Sequence, residues 1–248
     1  MCQDCGCGDP TIVSVEVHER LLAGNDRIAH HNREHFRSHG VTVINVMGSP
    51  GAGKTALLEA TARALGDRRR LAAITGDLET ERDAVRLRAA GVPTAAITTG
   101  SACHLDAEMV HHVLHDESRH HALVHDVDYL FVENVGNLVC PAIYDLGQHV
   151  NVVALSVTEG EDKPLKYPVM FRNADLVLVT KTDLLAALPD FDRPALDAAI
   201  TRSMRAPRSI AVSARRGDGL GQWIAWIESV RSQALVAPRP IAMEVLHG

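Results

Sequence analysis

The sequence lacks several features that would assign it to large and familiar classes of protein. None of its apolar runs approaches the ~20 residues that a helix needs to cross a bilayer, so no membrane-spanning segment is expected. No basic stripe stands out, and the formal net charge of −6 argues against a nucleic-acid-binding surface. The first residues contain neither the basic nor the apolar segment of a secretory signal, and we therefore expect a cytoplasmic protein.

Cysteine is scarce and odd in number, with five residues in a chain of 248. In a chain expected to be cytosolic, this favours metal or redox chemistry over structural disulfides. Cys2, Cys5 and Cys7 lie close together beside glycines, which would let several thiolates face one point. A soft or borderline metal such as Ni²⁺, Zn²⁺ or Cu(I) suits such ligands, and a tail with merely reactive cysteines is the alternative.

The central motif of the sequence is a phosphate-binding P-loop at 48–55, which reads G-S-P-G-A-G-K-T. An apolar run at 41–47 precedes it and a helical pattern follows, which is the context that this motif needs. Backbone N–H groups would surround phosphate, Lys54 would reach the β- and γ-phosphates, and the Thr55 hydroxyl would bind Mg²⁺. The predicted nucleotide contacts here are Gly48, Ser49, Pro50, Gly51, Ala52, Gly53, Lys54, Thr55 and Ala56.

Two acidic residues follow later predicted strands. Asp77 comes just after a strand at about 70–75 and would meet Mg²⁺ or the attacking water, or equally well cap the next helix. Glu133 ends the apolar strand 129–132 in a Walker B pattern, with its carboxylate near Mg²⁺ or its water. Gly136 would donate its N–H to the γ-phosphate, as the second switch of GTPases does. We therefore predict Lys54, Asp77 and Glu133 as the catalytic residues.

A guanine-binding motif is indicated at 180–183, where T-K-T-D resembles N-K-x-D with threonine in place of asparagine. The Asp183 carboxylate would accept hydrogen bonds from guanine N1–H and the 2-amino group, which adenine does not offer. The stem of Lys181 would lie over the ring, and Ser213 and Ala214 match the loop that touches the guanine carbonyl. GTP and GDP are therefore the predicted nucleotides, and an ATP-dependent kinase of the P-loop type is the alternative.

A second metal site is predicted from Cys103, His104 and Cys140. The first two follow a strand expected at 92–99, and Cys140 comes seven residues after Glu133. Loops at the carboxyl ends of parallel strands meet, so these side chains would form a Ni²⁺ or Zn²⁺ site, shared across a dimer interface. The alternative is that both cysteines are small buried hydrophobic residues. Because Cys140 shares a segment with Gly136, the γ-phosphate would change the ligand set.

Histidine is abundant, with 14 residues. His31, His35 and His39 are spaced i, i+4, i+8 on a helix predicted at 15–39, which the residues at 24–26 would interrupt. More histidines occupy the region 111–125. We expect most of these side chains to form exposed polar faces, with loose metal binding as the alternative.

Alternation of strands and helices predicts an α/β protein, a three-layer P-loop NTPase fold with a mostly parallel central sheet. Four parts are expected along the chain. They are a flexible Cys-rich metal-binding tail at 1–14, a helical segment at 15–40, a P-loop GTPase domain at 41–236 and a C-terminal tail at 237–248.

Taken together, these motifs resemble the HypB family, the hydrogenase nickel-incorporation GTPases of the SIMIBI class. The resemblance rests on the stretches 2–7, 48–55, 100–107, 133–141 and 180–183, and spans nearly the whole chain. It implies a metallochaperone that inserts nickel into the large subunit of a [NiFe] hydrogenase. Slow GTP hydrolysis to GDP and phosphate would serve as the switch. It also implies a homodimer that depends on nucleotide and metal, a HypA-like accessory protein and a SlyD-like prolyl isomerase.

Two other functions stay open at this point. A urease-type nickel accessory GTPase shares the P-loop and the guanine motif. A metal storage or detoxification protein would use the same cysteines and histidines, but it would hold several ions per chain where a chaperone holds one or two.

Overall fold

The computed structural model describes residues 10–236, with side chains from residue 22 onward except Arg119. In this range seven strands form one sheet: β1 (Thr42–Met47), β2 (Leu71–Asp77), β3 (Thr94–Thr98), β4 (Tyr129–Glu133), β5 (Val150–Ser156), β6 (Leu176–Thr180) and β7 (Ser209–Ala211). The order is β3-β2-β4-β1-β5-β6-β7 and every neighbouring pair is parallel. The predicted α/β fold with a mostly parallel sheet is confirmed.

Helices connect the strands, as parallel pairing requires. They are α1 (Pro10–His39), α2 (Lys54–Leu65), α3 (Arg82–Ala89), α4 (Ala107–Leu114), α5 (Glu117–Val124), α6 (Lys163–Lys166), α7 (Pro168–Arg172), α8 (Arg193–Ser203) and α9 (Leu220–Val236). Within the described part of the chain, none of the helices combines the length and the hydrophobicity that crossing a membrane requires.

The core lies on both faces of the sheet, because successive strand residues point to opposite sides. Tyr129 and Phe131 of β4 pack on one face with Trp223 of α9 and the buried leucines of α2. Leu130 and Val132, which alternate with them, pack on the other face with Phe36 of α1 and the apolar residues of α4 and α5. Burial on both faces explains why the central strands read as continuous apolar runs.

The first helix is longer than predicted. It begins at Pro10 rather than at 15, so residues 10–14 of the predicted tail are helical, and it continues through Gly24 without a break. A proline suits the first turn of a helix, where its missing N–H needs no partner. Beyond Gly24, Asn25 accepts a hydrogen bond from the Ala107 N–H at 2.8 Å, and Asn32 donates to the Ala107 carbonyl at 2.9 Å. These buried contacts hold the helix against the start of α4.

The carboxyl edge of the sheet carries the predicted site residues. The P-loop follows β1, which lies between β4 and β5 where the strand order reverses. In open parallel sheets this reversal opens a crevice for ligands. Asp77 and Glu133 end β2 and β4 at the same edge, and the loops after β3, β6 and β7 contain Cys103, Asp183 and Ser213.

Candidate nucleotide and metal sites

The P-loop runs from β1 into α2 and encloses a buried ammonium group. Gly48 adopts a φ of 145°, and a Cβ there would overlap the carbonyl oxygen of Ala154 on β5, so glycine is required. Lys54 is only 8% exposed, and its Nζ donates to the carbonyls of Gly48 and Ser49, both at 3.2 Å. Burial lowers the pKa of Lys54, while nearby carboxylates oppose that shift. The ammonium therefore stands where it would meet an incoming phosphate.

A hydroxyl and two carboxylates meet near this lysine with one hydroxyl proton among them. The Thr55 hydroxyl lies 2.8 Å from Glu133 Oε1 and 2.8 Å from Asp83 Oδ1, yet its single proton satisfies one carboxylate at a time. Glu133 is 3% exposed, and its Oε2 has no hydrogen-bond partner among the described residues. Burial raises the pKa of Glu133 to about 7, although Lys54 opposes the rise. Such hard, under-satisfied oxygen atoms fit the coordination preference of Mg²⁺.

Asp77 lines the same cleft but has a different environment. Its Oδ1 accepts hydrogen bonds from the N–H groups of Glu79 and Thr80, at 3.0 and 2.8 Å, and from the Thr80 hydroxyl. Burial acts to raise the pKa of Asp77, but these hydrogen bonds outweigh it and the pKa lies below its usual value. The carboxylate thus shapes the turn that leads into α3, and Asp83 is the carboxylate that reaches the Thr55 hydroxyl.

The predicted guanine loop is joined to the P-loop. The Thr180 hydroxyl at the end of β6 donates to the Ala52 carbonyl at 2.6 Å, so threonine at this motif position links the two loops directly. Asp183 Oδ1 accepts a hydrogen bond from the Ser213 hydroxyl at 2.7 Å, and this bond lowers the pKa of Asp183. An ionised carboxylate held in one orientation matches the two adjacent N–H donors of guanine.

The remaining predicted nucleotide contacts lie around the same loops. A Cβ on Gly136 would lie 2.9 to 3.0 Å from atoms of Pro50, so the segment after β4 approaches the P-loop closely only because residue 136 is glycine. The Ser49 hydroxyl donates to Glu159, a residue of the loop after β5. The other predicted contacts are Gly51, Gly53 and Ala56 in the wall of the cleft, Lys181 beside Gly53, and Ala214 in the loop after β7.

Cys103, His104 and Cys140 come together at the carboxyl edge. One potential ligand atom from each lies within 4.8 Å of the others, and the two sulfur atoms are 3.0 Å apart. All three residues are half-buried, so the cysteines are not fully enclosed hydrophobic residues. The hydrogen bond with the Cys103 thiol, together with burial, raises the pKa of Cys140.

The imidazole of His104 is held in place by its neighbours. It stacks on the ring of Tyr144, with centroids 3.9 Å apart and an angle of 19° between the planes. Its Nδ1 is buried and has no hydrogen-bond partner among the described residues. Two thiols and an imidazole nitrogen lacking a partner form a donor set that suits Ni²⁺ or Zn²⁺.

Two asparagines after β4 contact the loop that carries this cysteine site, and one of them also contacts the P-loop. Asn137 forms a backbone bridge with Gly48, and its Nδ2 donates to the Cys103 carbonyl at 3.2 Å. Asn134 is buried, and its Oδ1 accepts the N–H of Leu105, the residue after His104, at 3.0 Å. The segment after β4 therefore contacts both loops at once. Cys2, Cys5 and Cys7 lie outside the described residues.

Comparison with known proteins gives a consistent result. The family profile described as "CobW/HypB/UreG, nucleotide-binding domain" matches residues 42–206. Hydrogenase maturation factor HypB of Azotobacter vinelandii is 51% identical over 225 residues, which cover 90% of this chain and 72% of that protein. The chain belongs to the HypB family of hydrogenase maturation factors.

Solved structures of HypB proteins agree with this assignment. The crystal structure of HypB from Helicobacter pylori in complex with nickel has a TM-score of 0.80 and 35% sequence identity, over 88% of this chain and 100% of that one. HypB from Archaeoglobus fulgidus has a TM-score of 0.75 and 38% identity, over 85% of this chain and 100% of that one.

Three residues of this HypB-family site were not predicted from the sequence. Asp83 lies in the first turn of a charged helix, and only the packing of α3 beside α2 brings it to Thr55. Asn137 reaches Cys103 only through the folded loops. Glu159 had a usable signal, because it follows β5 at the carboxyl edge, where the other site loops also lie.

Proposed function

We propose that this chain is a GTP-hydrolysing nickel metallochaperone that inserts Ni²⁺ into the large subunit of a [NiFe] hydrogenase. Family membership supports the role in hydrogenase maturation, and the H. pylori relative is described in complex with nickel. The observation that carries the proposal for this chain is that one segment belongs to both the nucleotide site and the metal site. The loop after β4 contacts the P-loop through Gly136 and Asn137 and also bears Cys140, 3.0 Å from Cys103.

Lys54 would pair with the β- and γ-phosphates, with the backbone N–H groups of the P-loop around them. Asp183 and Lys181 would hold the guanine ring, with Ser213 and Ala214 beside its carbonyl. Thr55 and Glu133 would hold Mg²⁺, which neutralises phosphate charge when bound. Asp77 or Glu133 would orient the attacking water. Asp83, hydrogen-bonded to Thr55, is an added candidate for the magnesium shell.

Cys103, His104 and Cys140 would hold nickel as cargo, with Zn²⁺ as a competing occupant of the same donor set. Cys2, Cys5 and Cys7 would form a separate nickel site. Removing one thiolate from a three-ligand site weakens binding, and a difference of ~1.4 kcal/mol between two states changes affinity about tenfold. Loss of the Cys140 thiolate from the ligand set in one nucleotide state would therefore favour release.

The contacts of the loop after β4 would couple the bound nucleotide to the affinity of the cysteine site for nickel. A γ-phosphate would accept the Gly136 N–H, and nothing replaces that bond after hydrolysis. The contacts of Gly136 with Pro50 and of Asn137 with Gly48 would change with it, and Cys140 would shift relative to Cys103. Linkage then requires metal to alter nucleotide affinity by the same factor.

A nucleotide- and metal-dependent homodimer completes the proposal. Val139 and Ile143 flank Cys140 and are 55% and 48% exposed, which leaves an apolar edge beside the metal site for a second subunit to cover. A HypA-like accessory protein and a SlyD-like prolyl isomerase are the proposed partners in delivery.

The test uses the full chain with Cys2, Cys5 and Cys7 replaced by serine. The thiolates of Cys103 and Cys140 are then the ones left to bind nickel. Ni²⁺ affinity at this site is measured by thiolate-to-metal absorption, once with GDP and once with a non-hydrolysable GTP analogue. About a tenfold difference between the two states is expected. Cys140→Ser should weaken binding and remove the difference. Equal Ni²⁺ affinities of the parent with GDP and with the GTP analogue would contradict the coupling between nucleotide and metal. A Cys140→Ser variant that binds Ni²⁺ as the parent does would also contradict it.

Hydrolysis is tested separately by measuring phosphate release from GTP and from ATP under the same conditions. The proposal predicts slow release from GTP, and competition by GDP but not by ADP. Release from ATP at an equal rate would favour the kinase-type alternative.

A further inference from the structure

Histidines collect where α1 packs against α4 and α5. The structure brings them into two groups of three, each with ligand nitrogens within 4.8 Å of one another. The first trio is His31, His111 and His115, and the second trio is His35, His39 and His120. His31 is exposed, as expected, but His35 and His39 are half-buried, because this face of α1 lies against histidines of the other two helices.

The two trios adjoin each other along α1. The rings of His35 and His115, one from each trio, have centroids 5.2 Å apart. Within the second trio, the Nε2 atoms of His35 and His120 are 3.2 Å apart, and the rings of His35 and His39 have centroids 4.4 Å apart. The i, i+4, i+8 spacing of α1 places its three rings on successive turns of one face.

Neighbouring groups also fix which ring nitrogens carry a lone pair. Asn32 donates its Nδ2 to the carbonyls of Ala107 and Leu146, at 2.9 and 3.2 Å, so its Oδ1 is an acceptor. His111 Nδ1 lies 3.2 Å from that oxygen and must be the donor, which leaves His111 Nε2 unprotonated in the neutral ring.

The same tautomer follows for one more ring in each trio. His115 Nδ1 lies 3.0 Å from the His111 carbonyl, and His39 Nδ1 lies 2.9 Å from the His35 carbonyl. A carbonyl accepts only, so each Nδ1 donates and each Nε2 is free to act as a ligand. Metal-binding histidines are oriented by the same kind of Nδ1–H contact with a carbonyl or amide oxygen.

Two rings of the second trio favour the neutral form, which is the form that binds a metal. Burial, followed by the neighbouring imidazoles, lowers the pKa of His35 to about 4. Burial, again with nearby imidazoles, lowers the pKa of His120. One ring nitrogen of each member lies within 4.8 Å of a nitrogen of the other two, so a single cation could contact all three rings in place of the hydrogen bond between His35 and His120.

We propose that α1, α4 and α5 form a histidine-only site that binds borderline divalent cations such as Ni²⁺ or Zn²⁺, about one per trio. Imidazole nitrogen suits these ions, and three imidazoles leave coordination positions for water or another exchangeable ligand. The site shares no residue with Cys103, His104 and Cys140, and the proposal does not rest on the metallochaperone function.

The experiment begins from the full chain with all five cysteines replaced by serine, which removes thiolate ligands. Calorimetric titration with Ni²⁺ alone should still show uptake of about two ions per chain, without a thiolate-to-metal absorption band. His31→Gln with His115→Gln should weaken one site, and His35→Gln with His39→Gln the other. Each pair should lower the affinity of its site by at least about tenfold. Absence of Ni²⁺ uptake by the cysteine-free chain overturns the proposal.

A matched control separates a built site from scattered surface histidines. His30→Gln with His112→Gln changes exposed histidines of α1 and α4 that lie outside both trios, and should leave uptake unchanged. An equal loss in this control refutes the proposal.

A second measurement avoids reliance on the variants. In the cysteine-free chain, long-range ¹H–¹⁵N correlation spectra with Zn²⁺ should shift the Nε2 resonances of His39, His111 and His115. Resonances that do not move with Zn²⁺ contradict the site even if a histidine variant fails to fold.

Discussion

Glu133→Gln tests the chemistry of the P-loop cleft most directly. The carboxylate is buried beside Thr55 and Lys54, and its Oε2 has no hydrogen-bond partner among the described residues. Glutamine keeps the shape of the side chain and an oxygen for the Thr55 hydroxyl, but it removes the charge. Without nucleotide and Mg²⁺, we predict that this substitution stabilises the protein at pH 8.

The magnitude follows from the pKa of Glu133, which burial raises from 4.5 to about 7. Each pKa unit corresponds to ~1.4 kcal/mol, so burying the ionised carboxylate costs about 3 kcal/mol at pH 8. Because the folded-state pKa is the higher one, the folded protein binds more protons between pH 4.5 and 7, and the penalty grows as pH rises through that window. At pH 5 the cost falls to about 1 kcal/mol, because most folded molecules are then protonated at this residue.

The assay is urea unfolding of nucleotide-free protein in EDTA at pH 5 and pH 8. The free energy of unfolding of the variant should exceed that of the parent by about 3 kcal/mol at pH 8 and by about 1 kcal/mol at pH 5. Glu108→Gln, at an exposed site on α4, is the control and should give no such pH-dependent gain. With Mg²⁺ and GTP the order should reverse, because the carboxylate then has a cation to hold.

Two results would refute this reasoning. Equal stabilities of variant and parent at pH 8 would mean that the carboxylate is not ionised at a cost in the free protein. A gain that is the same at pH 5 and pH 8 would mean that packing, rather than charge, separates the two proteins.

The other predictions concern the base, the phosphate and the coupling. Asp183→Asn should weaken GTP binding roughly 10- to 100-fold and permit xanthine nucleotides, since it inverts the hydrogen-bond polarity; unchanged GTP affinity in a competition assay removes Asp183 from the base site. Lys54→Ala should lower GTP hydrolysis by about 100-fold or more while nickel stoichiometry stays constant, and loss of nickel would show that the two sites are not separable. Gly136→Ala should destabilise the protein by about 1–3 kcal/mol, because the new Cβ meets Pro50, and should reduce the nucleotide dependence of nickel affinity; a wild-type nucleotide response would place the coupling elsewhere.

Local features of the sequence were sufficient for the fold class and the nucleotide motifs. A P-loop depends on residues within one short segment, because glycines, lysine and threonine act on the same phosphates, and its spacing is visible in the chain at 48–55. Alternation of strand and helix then restricts the topology to a parallel sheet with helices on both faces. The strand order confirmed the parallel sheet, and the family profile showed a nucleotide-binding domain, while the individual phosphate contacts stay predictions.

Element boundaries depended on contacts that the sequence does not display. The break expected near Gly24 does not form, because Asn25 and Asn32 are fixed by buried hydrogen bonds to Ala107, far along the chain. Helix α3 begins only at Arg82, because Asp77 accepts the N–H groups of Glu79 and Thr80 in a turn before it. Tertiary contacts override local propensity at such positions.

The sequence by itself determined the alternation that builds the sheet, and it predicted the P-loop and guanine motifs, because all three depend on neighbours along the chain. Only the tertiary structure decided which distant side chains meet. Asp83 reaches Thr55 because α3 packs beside α2, and the histidines of α1 face those of α4 and α5 because these helices cover the same side of the sheet. Helical periodicity assigns a residue to a face of its own helix, but the partner of that face is set by packing between helices remote in sequence.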